Sequence, residues 1–240
     1  MNTHIQLDGV QIHHTAERLT RRIGERFPDS GLREVSVSIE KTCLNAQLRI
    51  DALHRPIWSI RILALGIGVF SLSLILYMAF GGIRWTEFHL PQTYVGFLGV
   101  LEPTLGSLVF LTGFFVFVVT LEKRWKQHRV LTALNELRAL AHVIDMHQLT
   151  KDPERYLLEG KDTKSSPERT LTPFELGRYL DYCSEMLAFL SKVAALWAQA
   201  FPETNTLAAV DQIETLTSGL SRKIWQKLMM LEHIVRAHKE

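Results

Sequence analysis

Two apolar blocks decide the fold of this chain: IWSIRILALGIGVFSLSLILYMAF at 57–80 and YVGFLGVLEPTLGSLVFLTGFFVFVVTL at 94–121. At the α-helical rise the first block is ~36 Å long, enough to cross a hydrocarbon core ~30 Å thick. The second is longer than a crossing needs and is divided by Glu102 and Pro103. Spans are therefore predicted for 57–80 and 103–121, with an outer link at 81–102. The alternative, two buried helices of a soluble core, is disfavoured because the blocks are long and nearly free of charge.

The orientation follows from the positive charges around the two blocks. Seven basic residues lie before the first block or after the second block, and a single one, Arg84, lies in the link between the blocks. The seven are Lys41, Arg49, Arg55, Lys123, Arg124, Lys126 and Arg129. Short segments rich in Lys and Arg stay on the cytoplasmic side. We therefore expect an integral protein of the cell inner membrane with both termini in the cytoplasm and residues near Trp85 outside.

The polar parts of the chain show helical periodicity throughout. Apolar residues recur at spacings of three and four, as on one face of a helix. The stripes are Ile12, Ala16, Leu19, Ile23 and Phe27; Leu32, Val35, Ile39, Cys43, Ala46 and Ile50; and Val130, Leu134, Leu137, Ala141 and Ile144. Two more are Leu176, Leu180, Cys183, Leu187, Leu190, Ala194, Trp197 and Phe201; and Ile213, Leu216, Leu220, Ile224, Leu228, Leu231 and Val235. VSVSIE at 35–40 also alternates like a strand, but the helical spacing continues well beyond it.

These patterns predict an all-α membrane protein: a two-span transmembrane helical hairpin with a cytosolic helical bundle. The predicted divisions are an N-terminal cytosolic arm at 1–55, the hairpin at 56–122 and a C-terminal cytosolic domain at 123–240. PDSG at 28–31 is a turn, and 151–172 is a polar linker broken by Pro and Gly. Thr172-Pro173-Phe174-Glu175 is a capping box with proline at the first helical position. One continuous helix is expected from about Pro103 to about Leu149.

Glu102 and Arg61 are the two charged residues inside or beside the apolar blocks, and such residues suggest function. If the second span starts at Pro103, Glu102 lies at the helix N-terminus, where the dipole favours its charge. This is the interpretation we prefer. If the helix starts at Tyr94, Glu102 lies ~12 Å below the outer end and needs a partner, a cavity or a proton. Arg61 is expected to snorkel to the inner headgroups; the alternative is an ion pair with an acid on another helix.

A weak polar cluster is formed by His142 and Asp145, which are one helical turn apart and could hold a metal. His147 points ~140° away from His142, so the three cannot close on one ion. An ordinary polar helix end is the preferred interpretation, and we expect no metal site and no cofactor. The sequence shows no catalytic triad and no phosphate-binding loop, and hence predicts no enzyme.

Composition limits the partners. The formal net charge of +2 is too balanced for a nucleic-acid-binding protein, which needs a clustered basic face. Two cysteines, far apart and without a CxxC pattern, exclude a disulfide framework and predict reduced cytosolic thiols. The expected partners are the lipid bilayer and, at the cytosolic helices, either a second copy of the chain or another protein.

The function indicated is a membrane-anchored interaction, scaffold or regulatory protein that presents a helical bundle at the inner membrane surface. The alternative is an oligomeric channel or a transport accessory subunit, which needs several chains because two spans cannot enclose a pore. Glu102 is the main support for that alternative. An enzyme with a membrane anchor is the weakest interpretation.

Overall fold

A computed structural model describes residues 6–53, 55–80, 94–156, 163–166 and 170–237 of the 240. Within these ranges the chain is all-helical, as predicted. The helices are α1 (Gly9–Arg26), α2 (Gly31–Leu53), α3 (Trp58–Phe80), α4 (Tyr94–Leu149), α5 (Pro173–Ala200) and α6 (Thr204–Ala237). A short 3-10 turn, Pro153–Tyr156, follows α4. The link at 81–93, with Arg84 and Trp85, and the linker residues 157–162 and 167–169 lie outside the described residues.

Local chemistry sets the helix ends. Asp8 caps α1, its carboxylate accepting from the N–H of Val10 at 2.9 Å. At α5 both halves of the predicted capping box are present: the Glu175 N–H donates to the Thr172 hydroxyl, and the Thr172 N–H donates to the Glu175 carboxylate. Phe201, before Pro202, ends α5 as expected. These caps satisfy backbone donors that a helix start leaves unpaired.

The chain divides into two compact units, one comprising residues 1–52 and 129–240 and the other residues 53–128. The first unit is a bundle of α1, α2, the last part of α4, α5 and α6. The stripes predicted for α1, α2 and α4 are buried at every position. VSVSIE is helical, which excludes the strand alternative.

α5 is the central helix of this bundle. Every residue of its predicted stripe before Phe201 is buried. A second buried row, Tyr182, Phe189 and Leu196, repeats at intervals of seven and widens the apolar face. Phe27, the C-cap of α1, packs edge-on against Tyr182, with ring centroids 6.3 Å apart. α5 therefore packs against α1 as well as against α6.

α4 starts earlier than the sequence predicts. The sequence predicts a helix from about Pro103, whereas α4 begins at Tyr94 and continues through Glu102 and Pro103 to Leu149. Proline interrupts one backbone hydrogen bond, a defect that membrane helices tolerate. Glu102 is consequently the ninth residue of α4 and does not lie at its N-terminus.

The second unit contains α3 and the first part of α4. One helical stretch among the described residues, within Gly31–Ser71, is long and apolar enough to cross a membrane. Only 6% of its most apolar window is buried. No second stretch among the described residues meets this criterion of length and composition, so the second span stays a prediction.

Candidate functional site

A charge cluster joins the first turn of α3 to α4. Glu122 of α4 accepts from Lys126 Nζ at 2.9 Å and from Arg61 Nε at 3.3 Å. It also accepts from the N–H of Ile57 at 3.5 Å. The Ile57 carbonyl receives the first intrahelical bonds of α3, so Glu122 lies at the positive end of that helix. One carboxylate thus anchors the N-terminus of α3 to the side of α4.

Arg61 has the partner that the alternative interpretation requires, an acid on another helix. Its side chain is still 57% exposed, whereas the Glu122 and Lys126 side chains are each 17% exposed. The pair does not prevent the remaining nitrogens of Arg61 from reaching a headgroup. Glu122 was not singled out from the sequence, although it is the single acid in the run EKRWKQHR that follows the second apolar block.

The described part of α3 is otherwise almost uncovered. A narrow row at helical spacing, Ile60, Ala64, Ile67 and Ser71, is partly buried, and the residues between them are exposed. The exposed ones include large apolar side chains, such as Leu65 at 69% and Phe70 at 68%. On α4, Val109 and Phe110 are 70% and 77% exposed. Soluble proteins rarely leave such contiguous apolar surface in water.

His142 and Asp145, the predicted weak polar cluster, lie near the end of α4. Asp145 accepts from Gln148 Nε2 at 2.7 Å, and His142 is exposed. His147 lies against the start of α2, where a Cβ on Gly31 would come within 2.5 Å of its ring. Within the described ranges no three His, Cys, Asp or Glu side chains group as metal ligands would.

Lys227 of α6 caps the C-terminal end of α4. Its ammonium donates to the carbonyls of Gln148 at 2.8 Å and Lys151 at 3.2 Å. Carbonyls at a helix C-terminus carry partial negative charge, which a cation stabilises. Burial lowers the pKa of Lys227 below its ordinary value, while Asp152 and Asp145 oppose that shift.

An apolar groove of about 760 Å³ lies between the start of α5 and the end of α6. Leu228, Leu231 and Val235 line its α6 side, and Phe174, 65% exposed, lines its α5 side. Charged residues border it, including Arg178, which pairs with Asp181 at 2.9 Å. The periodicity of α6 predicts Leu228 and Val235 as core, but both are only half-buried because they face this groove.

Comparison of the chain with known protein families, with curated proteins and with solved structures finds no match.

Proposed function

We propose that this chain is a membrane-anchored interaction protein: a two-span hairpin holds a helical bundle at the cytoplasmic face of the inner membrane, where the bundle binds a protein partner or another copy. The uncovered apolar surface of α3 and α4 carries this proposal. Contact of this apolar surface with lipid acyl chains carries no hydrophobic penalty, whereas contact with water does.

The charges flanking the helices support the orientation. Arg55, Arg61, Lys123 and Arg124 cluster at the same end of the hairpin, and the positive-inside rule assigns that end to the cytoplasm. Trp58 and Trp125, 68% and 44% exposed, lie beside them. Tryptophan is enriched at the membrane–water interface, so both side chains suit the inner headgroup region.

The bundle supports an interaction role through the groove between α5 and α6. Its apolar floor and charged border match the anatomy of protein-binding surfaces, in which an apolar centre is ringed by polar groups. Phe174 offers the exposed aromatic side chain that often anchors such contacts.

Topology is the first test. Reporter domains fused after Glu240 and inserted at Thr86 should report cytoplasm and exterior, respectively, and the protein should resist carbonate extraction from membranes. An exterior signal from the C-terminal fusion contradicts the topology, and carbonate release contradicts the anchor.

The interaction role has its own test. A photo-crosslinking residue at Phe174 should give one adduct of defined mass in intact cells. The same residue at Leu207, which is 47% exposed on α6 but does not line the groove, is the matched control. Equal, diffuse labelling from both positions argues against a specific surface at the groove.

The channel alternative gains one observation from the structure: α4 begins at Tyr94, so Glu102 lies within a helix. A channel requires several copies around a pore. The mass of the detergent-purified protein separates the two functions, since a closed ring of four or more chains favours the channel and a smaller complex favours the scaffold.

A further inference from the structure

A cavity of about 310 Å³ opens between α3 and α4. Ala64, Gly68 and Ser71 line it from α3, and Phe114, Phe115 and Val118 line it from α4. Small residues on one helix face aromatic rings on the other, so the helices leave a gap that their own side chains do not fill. The gap is apolar and lies within a predicted span.

The charge cluster lies at one end of this cavity. Arg61 precedes Ala64 by one helical turn, and Glu122 follows Val118 by one turn. Arg61 uses Nε for Glu122, and its two terminal nitrogens have no partner among the described residues. Arg61 and Lys126 together carry one positive charge more than Glu122 neutralises. A guanidinium with two free N–H edges suits the paired oxygens of a phosphate.

The cavity extends along the helix axis away from the charge cluster. Between Ala64 and Ser71 it covers ~10 Å. An acyl chain whose phosphate is held at Arg61 would run in this direction.

We propose that the α3–α4 cleft binds one anionic phospholipid of the inner leaflet, with the phosphate at Arg61 and Lys126 and one acyl chain in the cavity. This inference rests on the proposed membrane topology. Basic pockets between helices on the cytoplasmic side are a recognised way to hold anionic headgroups. Bound lipid would complete the packing of α3 on α4, which the protein alone leaves open.

The experiment uses the full-length protein purified from membranes, reconstituted with equal amounts of phosphatidylglycerol and phosphatidylcholine, and weighed intact by native mass spectrometry. The wild type should retain one phosphatidylglycerol in preference to phosphatidylcholine. Arg61→Gln should lower that preference about fivefold or more, the worth of one cation near an anionic headgroup. Arg138→Gln, which removes an exposed arginine from the cytosolic bundle, is the charge control and should change nothing.

The acyl-chain site has a second pair of variants. A Cβ at Gly68 meets nothing within 4 Å, so Gly68→Leu can fill the cavity without removing charge and should expel the lipid. Gly66→Leu adds the same side chain to α3 at a position that does not line the cavity, and should retain the lipid. Glu122→Gln raises the local positive charge by one and should keep or increase retention.

The outcomes divide cleanly. Loss with both Arg61→Gln and Gly68→Leu, against intact controls, supports the site. Loss with Arg61→Gln alone indicates general surface attraction and overturns the cleft. Retention by both variants overturns the proposal while leaving the membrane anchor intact. Carbonate release of the wild type instead contradicts the proposed function itself, so the two failures are distinguishable.

Discussion

The two thiols of the chain lie within the core of the bundle. Cys43 is 2% exposed and Cys183 is fully buried. Burial raises the pKa of each thiol to about 12, and for Cys43 the charge of Glu40 adds to the effect. The thiolate is the reactive form, and at pH 8 only a fraction of ~10⁻⁴ of each cysteine is ionised to it.

We therefore predict that neither cysteine reacts with a thiol reagent in the folded protein at pH 8, and that both react in denaturant. Ser165→Cys, at an exposed position of the linker, supplies the positive control and should react at once. Stoichiometric modification of the native wild type contradicts the burial of these residues.

Arg61 and Glu122 show how far single residues can be predicted. The sequence identifies Arg61 because a charge within an apolar block is costly. It does not identify the partner, since pairing depends on how α3 and α4 are aligned, and that alignment is set by tertiary packing. The presence of one acid among the basic residues after Leu121 is a signal that points to Glu122.

The N-terminus of α5 depends on the Thr172–Glu175 capping box. We predict that Thr172→Ala lowers the free energy of unfolding of the bundle by about 1 kcal/mol, the typical value of an N-cap. Thr170→Ala, two residues earlier and exposed, is the matched control and should have little effect. Thermal or denaturant unfolding in detergent measures the difference.

The same cap predicts a pH dependence. The Thr172 N–H donates to the Glu175 carboxylate and, with its hydroxyl, holds the pKa of Glu175 below its ordinary value. A depressed carboxylate pKa stabilises the fold above the unfolded-state pKa, and this contribution is lost as the pH falls through the folded-state value. Glu175→Gln should thus be destabilising at neutral pH, and its difference from the wild type should shrink in acid. A difference that is constant with pH would show that the charge plays no part.

α5 is also the element on which the bundle core depends. Leu187 is fully buried at the centre of its wide apolar face. We predict that Leu187→Ala costs roughly 2–5 kcal/mol, the range for removing a fully buried leucine. Leu207→Ala on α6, where the side chain is 47% exposed, should change stability by less than about 0.5 kcal/mol. Similar losses for the two variants would place Leu187 outside the core.

The elements differ in how well the sequence predicts them. The helical period alone predicts the buried stripes of α1, α2 and α4. For α5 the period gave one face, but the row Tyr182, Phe189 and Leu196 shows that this helix is covered on two sides. That row is visible as a seven-residue repeat, yet only the packing shows that Phe27 contacts Tyr182 and that Gly9 lies near Leu196. The start of α4 was missed because Pro103 is a strong local start signal that the longer helix overrides.

Two of the four acids of α4, Glu102 and Glu122, delimit its uncharged stretch. Pro103–Leu121 carries no charge, and Glu102 and Glu122 lie at its two ends. Glu102 and Glu122 are twenty positions apart, which at the helical rise is ~30 Å, the thickness of a hydrocarbon core. If Glu122 lies at the inner interface with Arg61 and Lys126, Glu102 lies at the outer interface even though α4 begins at Tyr94. The first two turns of α4 would then extend beyond the hydrocarbon.

The depth of Glu102 in the membrane can be tested by thiol labelling. If the uncharged stretch crosses the hydrocarbon core as proposed, Glu102 lies at the outer interface, and Glu102→Cys should react rapidly with a membrane-impermeant thiol reagent added from outside. Val109→Cys lies ~10 Å deeper along α4 and should be protected. Glu102→Gln should leave the oligomer mass and any ion flux unchanged, since an interfacial carboxylate needs no buried partner. A channel in which Glu102 faces the pore makes the opposite prediction for the neutral variant: changed conductance, selectivity or assembly. Protection of Glu102→Cys, together with loss of assembly or flux in Glu102→Gln, would contradict the interfacial position and favour the channel over the scaffold.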